Sequence, residues 1–117
     1  MDVPDLVHAL LSGDLRAARQ WVADAQRVHL RWECLDQPDG LDDREMSVAA
    51  AVIELLACRA GSVPPPWTRA VGGVQEVLVL DPGLEHMPRS FARAKIDAPE
   101  PLRRRNIITM PDFLDVA

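Results

Sequence analysis

The residues able to do chemistry are few and scattered. His8, His29 and His86 have no ligand partner at the four-residue spacing that turns two side chains toward one metal. Each reads as a surface or core-edge histidine, and no metal site is predicted. Ser12, Ser47, Ser62 and Ser90 all lie outside a G-x-S-x-G turn, the strained corner that presents a serine to its base. Cys34 and Cys58 form no C-x-x-C pair. They read as small buried apolar residues, a disulfide being the alternative. Asp42-Asp43 fits a helix cap better than an acid/base pair. Asp112 with Asp115 is a second carboxylate pair with no partner base. Gly72-Gly73 lacks the lysine of a phosphate loop and precedes a strand pattern instead of a helix. No reaction and no cofactor follow from this set, so the chain is read as a non-enzyme.

The remaining constellation is Arg103-Arg104-Arg105-Asn106, set between Leu102 and Ile107. Consecutive residues of a helical turn point about 100° apart, so the three arginines cannot share one phosphate strand. Three uses stay open: phosphate contact with RNA or DNA, docking on the protein's own acidic body, and pairing with an acidic patch on a partner. Charge distribution bears on the choice. Residues 1–85 carry seven arginines against fourteen carboxylates, whereas residues 86–105 carry six basic residues against Asp97 and Glu100. Polyanion binding follows local positive charge, and the whole-molecule charge of −5 opposes it. Docking on the body is therefore preferred, with partner contact the leading function beyond it. Trp21, Trp32 and Trp67 read as core anchors. Trp67, behind Pro64-Pro65-Pro66, is the one suited to an interface.

The elements that must position these residues are mostly helical. Asp2, Pro4 and Asp5 open a first helix that Ser12-Gly13 closes, and Asp14 caps a second from about Leu15 to Gln26. Val28 to Cys34 alternates apolar and polar residues, which predicts a strand, a continuing helix being the competitor. Asp36 to Gly40 is a turn by composition. Asp42, with Glu45 three residues on, opens the strongest helix, which carries Met46, Ala49, Ile53, Leu56 and Ala60 at helical spacing and stops at Gly61. Pro64-Pro65-Pro66 is either extended or the start of a turn through Val71. Val74 to Leu80 predicts a strand, Arg89 to Ile96 a helix opened by Pro88, Leu102 to Arg105 one helical turn, and Ile107 to Thr109 a short strand. Pro111 starts a final turn carrying Phe113 and Leu114.

At 117 residues the chain matches the commonest domain size and can bury roughly two thirds of its unfolded surface. It needs neither metal nor disulfide to fold. Acidic Asp2 and Asp5 argue against a signal peptide, and no apolar run approaches the about 20 residues of a membrane span. The expectation is a cytoplasmic protein forming one domain over 1–117. The fold expected is α+β: mainly helical, with a packed core around the Met46–Ala60 helix and a small β-sheet.

The stretch from Ala98 through Pro99-Glu100-Pro101-Leu102-Arg103-Arg104-Arg105-Asn106-Ile107-Ile108, followed by Phe113-Leu114, resembles the C-terminal signature of small bacterial proteins. Those proteins look like antitoxin-type neighbours of minimal nucleotidyltransferases. Asp14 to Arg19 and Pro64 to Trp67 are similar to the same group. The resemblance implies a non-enzymatic interaction module that occludes a nucleotidyltransferase-type toxin. Arg103, Arg104 and Arg105 would face its acidic site, with Phe113 and Leu114 as the apolar anchor; Asn106 and Trp67 complete the expected partner-binding set. The alternative is a small nucleic-acid-binding regulator using Arg103 to Arg105. A homodimer is compatible with either, and no membrane partner is expected.

Overall fold

The structure, a computed structural model, describes residues 2–115. Along the chain run α1 (Val3–Leu11), α2 (Leu15–Arg27), α3 (Asp43–Arg59), β1 (Leu78–Val79), α4 (Pro88–Asp97), α5 (Glu100–Arg103) and β2 (Ile107–Ile108). Three 3-10 turns, at Trp32–Cys34, Pro66–Ala70 and Leu84–His86, lie between them. This is a mainly helical α+β fold, as the periodicities predict.

α3 is the axis. The Asp42 carboxylate accepts from the Glu45 N–H at 2.8 Å, and the Glu45 carboxylate accepts from the Asp42 N–H at 3.0 Å. This capping box satisfies two amides that a helix start otherwise leaves bare. Every residue from Ser47 to Ala57 is buried. Such a helix is covered on all sides. Small Ala49, Ala50, Ala51 and Ala57 allow close approach by α1, α5 and the first two 3-10 turns, all of which pack on it. The radius of gyration is 13.3 Å, close to the value of about 13 Å for one compact body of this length.

α1, α2 and α3 all stop the same way. In each, a left-handed residue follows the helix: Gly13 (φ 79°), His29 (φ 52°) and Gly61 (φ 71°). The next amide then bonds back five residues, from Asp14 to Ala9, Leu30 to Ala25 and Ser62 to Ala57, at 2.8–3.0 Å. This is the Schellman arrangement, which captures carbonyls that the helix end leaves free. It also overturns the strand predicted over Val28 to Cys34. Val28 and His29 close α2, and Trp32 begins a 3-10 turn that tucks its ring against Trp21, centroids 6.3 Å apart. The alternation was accidental: Val28 is exposed while Trp32 is buried.

β1 and β2 are parallel, with Leu78 opposite Ile107 and Val79 opposite Ile108. A parallel pair requires a crossover, supplied here by α4 and α5. The sheet is a partition. Leu78, Leu80 and Ile107 enter the main core with α1, α2 and α3. Val79 and Ile108 face the other way, into a satellite cluster with Leu84, Ala94, Phe91 and Met110. The strand predicted over Val74 to Leu80 shrinks to two residues. Its start is held by the tail instead: the Val74 N–H donates to the Arg105 carbonyl at 3.0 Å, and Gln75-Glu76 bends. Of the two readings of Pro64-Pro65-Pro66, the turn holds: Pro66 starts a 3-10 turn that runs to Ala70. Cys34 and Cys58 are both exposed free thiols, not buried ones. Cys58 sits in the last turn of α3, where the stripe has already left the core.

Candidate functional site

The arginine run folds inward on a residue that the sequence reading passed over. Glu54, in the middle of α3, has 7% of its surface exposed. One of its carboxylate oxygens accepts from Arg105 Nη2 at 2.5 Å and the other from Arg104 Nη2. Arg105 is itself 3% exposed. Its remaining donors reach backbone carbonyls: Nη2 to Thr68 at 2.9 Å, Nη1 to Pro101 at 3.0 Å and Nε to Val71 at 3.3 Å. A buried charge is tolerated only with a partner and filled hydrogen bonds, and Arg105 has both. Arg104 is half-exposed and also reaches Glu100 at 3.4 Å. Docking on the protein's own body is what these two arginines do.

The backbone around them is fitted to the same purpose. A Cβ built on Gly73 would lie 2.6 Å from the Arg105 Cα and carbonyl oxygen, so only glycine allows that approach. Asn106 takes the left-handed conformation (φ 65°), and its Nδ2 donates to the Val74 and Gln75 carbonyls at 3.4 and 3.3 Å. Asp81 closes the far end: its carboxylate accepts from Thr109 Oγ1 at 2.8 Å and the Met110 N–H at 2.7 Å. Ser47 Oγ, on α3, donates to the Gly72 carbonyl at 2.9 Å. The tail from Leu102 to Met110 is thus a clasp over residues 68–81.

The apolar anchors are occupied too. Phe113 and Leu114 lie in the main core, and Arg19 Nε donates to the Phe113 carbonyl at 3.1 Å. Arg59 holds the same turn through the Pro111 carbonyl, at 2.7 Å, and Asp115. Trp67 is half-buried against the core, its indole N–H donating to the Leu35 carbonyl at 2.9 Å. As folded, Arg105, Phe113 and Leu114 present no side chain to a partner. This corrects their reading as contact residues. The physical reason is that the chain's own core needs them first.

Of the arginine run, Arg103 alone points fully outward, with its Nη1 donating to the Ile96 carbonyl at 2.5 Å. It joins Arg89, Arg93 and Lys95 of α4, all exposed. Arg93 pairs with Asp97 at 2.9 Å, and the Lys95 ammonium lies 4.6 Å over the Phe91 ring. Elsewhere, an open depression of about 550 Å³ lies between the ends of α2 and α3, with Trp32, Leu56 and Leu114 among its lining. His8 Nε2 lies 3.0 Å from Glu45 and ties α1 to α3. Among the described residues no three His, Cys, Asp or Glu side chains gather where they could hold a metal ion, and no helix is long and apolar enough to cross a membrane.

Glu54 and Asp81 are the residues the sequence reading missed. Glu54 had a signal: it is the one charged residue between Met46 and Ala57. Asp81 had none beyond its place in a turn. Comparison with protein-family models, with curated proteins and with solved structures finds no match.

Proposed function

We propose that this protein is a non-enzymatic interaction module that binds and occludes a partner enzyme in the manner of an antitoxin. The observation that carries the reading is the split of charge. Residues 1–85 are strongly acidic, while Arg89, Arg93, Lys95 and Arg103 stand exposed on the α4–α5 side. Cations displayed on one side of an otherwise acidic protein, of which Arg93 alone meets a carboxylate among the described residues, suit selection of an oppositely charged partner surface. The likeness of the tail to antitoxin-type neighbours of nucleotidyltransferases gives the partner class. Such an enzyme carries catalytic carboxylates that exposed arginines would cover. The contact set is therefore Arg103 with the exposed part of Arg104 and the α4 cations, in place of Arg105, Phe113 and Leu114.

The test is co-expression with the product of the adjacent gene. A complex that survives purification, together with relief of growth inhibition, is the expected outcome. Finding neither would sink the proposal. Retardation of an RNA or DNA duplex that falls steeply with added salt would replace it with a nucleic-acid-binding regulator.

A further inference from the structure

We infer that the outer face of α4, with Arg103 beside it, is a docking surface for an acidic protein surface that carries an apolar recess. The inference rests on the interaction-module reading and adds the place and the partner's chemistry.

α4 buries little of itself. Ala94 is its one buried residue, with Phe91 half-buried beside it over the satellite cluster. The opposite side carries Ala92 and Ile96, which are neighbours at four-residue spacing. Ile96 is 69% exposed, more than any other large apolar side chain among the described residues. An exposed isoleucine alone is ordinary. This one stands among charges that are mostly positive: Arg89, Arg93, Lys95 and Arg103, against Asp97, which pairs with Arg93. The Arg103 bond to the Ile96 carbonyl fixes one of these cations next to the apolar centre. An apolar knob inside a polar rim is the arrangement of a protein-binding hot spot. The rim calls for carboxylates on the partner, and the knob for a recess.

Nucleic acid fits less well. Ile96 offers nothing to a phosphate. Base stacking needs an exposed aromatic face, and Phe91 is half-buried beneath Lys95. The acidic body repels a polyanion that extends past α4.

The experiment is an NMR titration of the full chain at low salt. The probe is a synthetic amphipathic helical peptide with a leucine ridge flanked by glutamates. Shifts confined to residues 87–97 and Arg103 are expected. Ile96→Asp and Arg89→Glu, both at exposed positions and checked for unchanged melting, should each weaken binding about tenfold. Asp36→Lys, outside this face, should not. The inference is overturned if the probe shifts other residues or none, or if a leucine–serine peptide binds equally well. Tighter binding of a nucleic-acid duplex to α4, or pairing of α4 with a second copy of this chain, would also overturn it. If the probe binds α4 but the adjacent gene product does not bind the protein, the antitoxin reading fails and the surface stands. A complex with that product that is indifferent to both α4 variants has the opposite meaning.

Discussion

A guanidinium with 3% of its surface left to water must be neutralised where it lies, and Arg105 is neutralised by Glu54. Removing one partner strands the other in the core. Arg105→Met should therefore lower stability by about 3–5 kcal/mol, read as a shifted midpoint in urea. Adding Glu54→Leu should restore part of that loss. It should not restore all, because Thr68, Pro101 and Val71 would keep carbonyls that Arg105 now satisfies. Full recovery in the double variant would show that those carbonyl bonds contribute nothing. The neighbouring glycines give a second residue-scale contrast. Gly73→Ala drives a methyl into the Arg105 backbone and should cost about 1–3 kcal/mol, whereas Gly72→Ala meets no atom within 4 Å and should change stability by about 0.5 kcal/mol at most. Equal effects in a denaturation series would contradict the close approach.

At the scale of elements, the sheet divides a large core from a small one, and the two should not be equally stable. α3 is buried along its middle three turns, while α4 buries one residue. Local opening follows buried contact, so α4 amides should exchange with deuterium well before those of α3. Matching protection in both helices would argue against the partition. The same contrast explains what was legible in the sequence. Elements that are made locally were readable: the Asp42–Glu45 capping box, the Asp14 cap, Gly61, and Pro88 at the start of α4. Elements that depend on distant chain were not. Val74 to Val77 has strand composition, but Arg105 and Asn106 hold its backbone and leave two residues to pair. Val28 to Cys34 alternates like a strand, but lacks a neighbour to pair with, and His29 instead closes a helix. The arginine run could be read as a docking element, yet which arginine turned inward depended on Glu54, some fifty residues away.

At the scale of the whole molecule, the chain holds one acidic body and one basic band, and the fold decides which cations remain for others. Arg104 and Arg105 are drawn to Glu54, while Arg103 and the α4 cations stay outside. The tail is also what completes the body. A chain cut after Ala98 would lose α5, β2, both Glu54 partners and the Phe113-Leu114 plug. It should keep helical circular dichroism but lose the cooperative thermal transition and the near-ultraviolet signal of its packed tryptophans. A sharp transition in that fragment would show that the first 98 residues fold alone. The clasp also has a meaning in time. A ribosome delivers Glu54 long before Arg104 and Arg105, so during synthesis α3 emerges with a carboxylate in its apolar face and no counter-ion to meet it. Collapse around α3 is disfavoured until the last arginine emerges. The core around α3 can therefore close over that carboxylate only once residues 104 and 105 have been added.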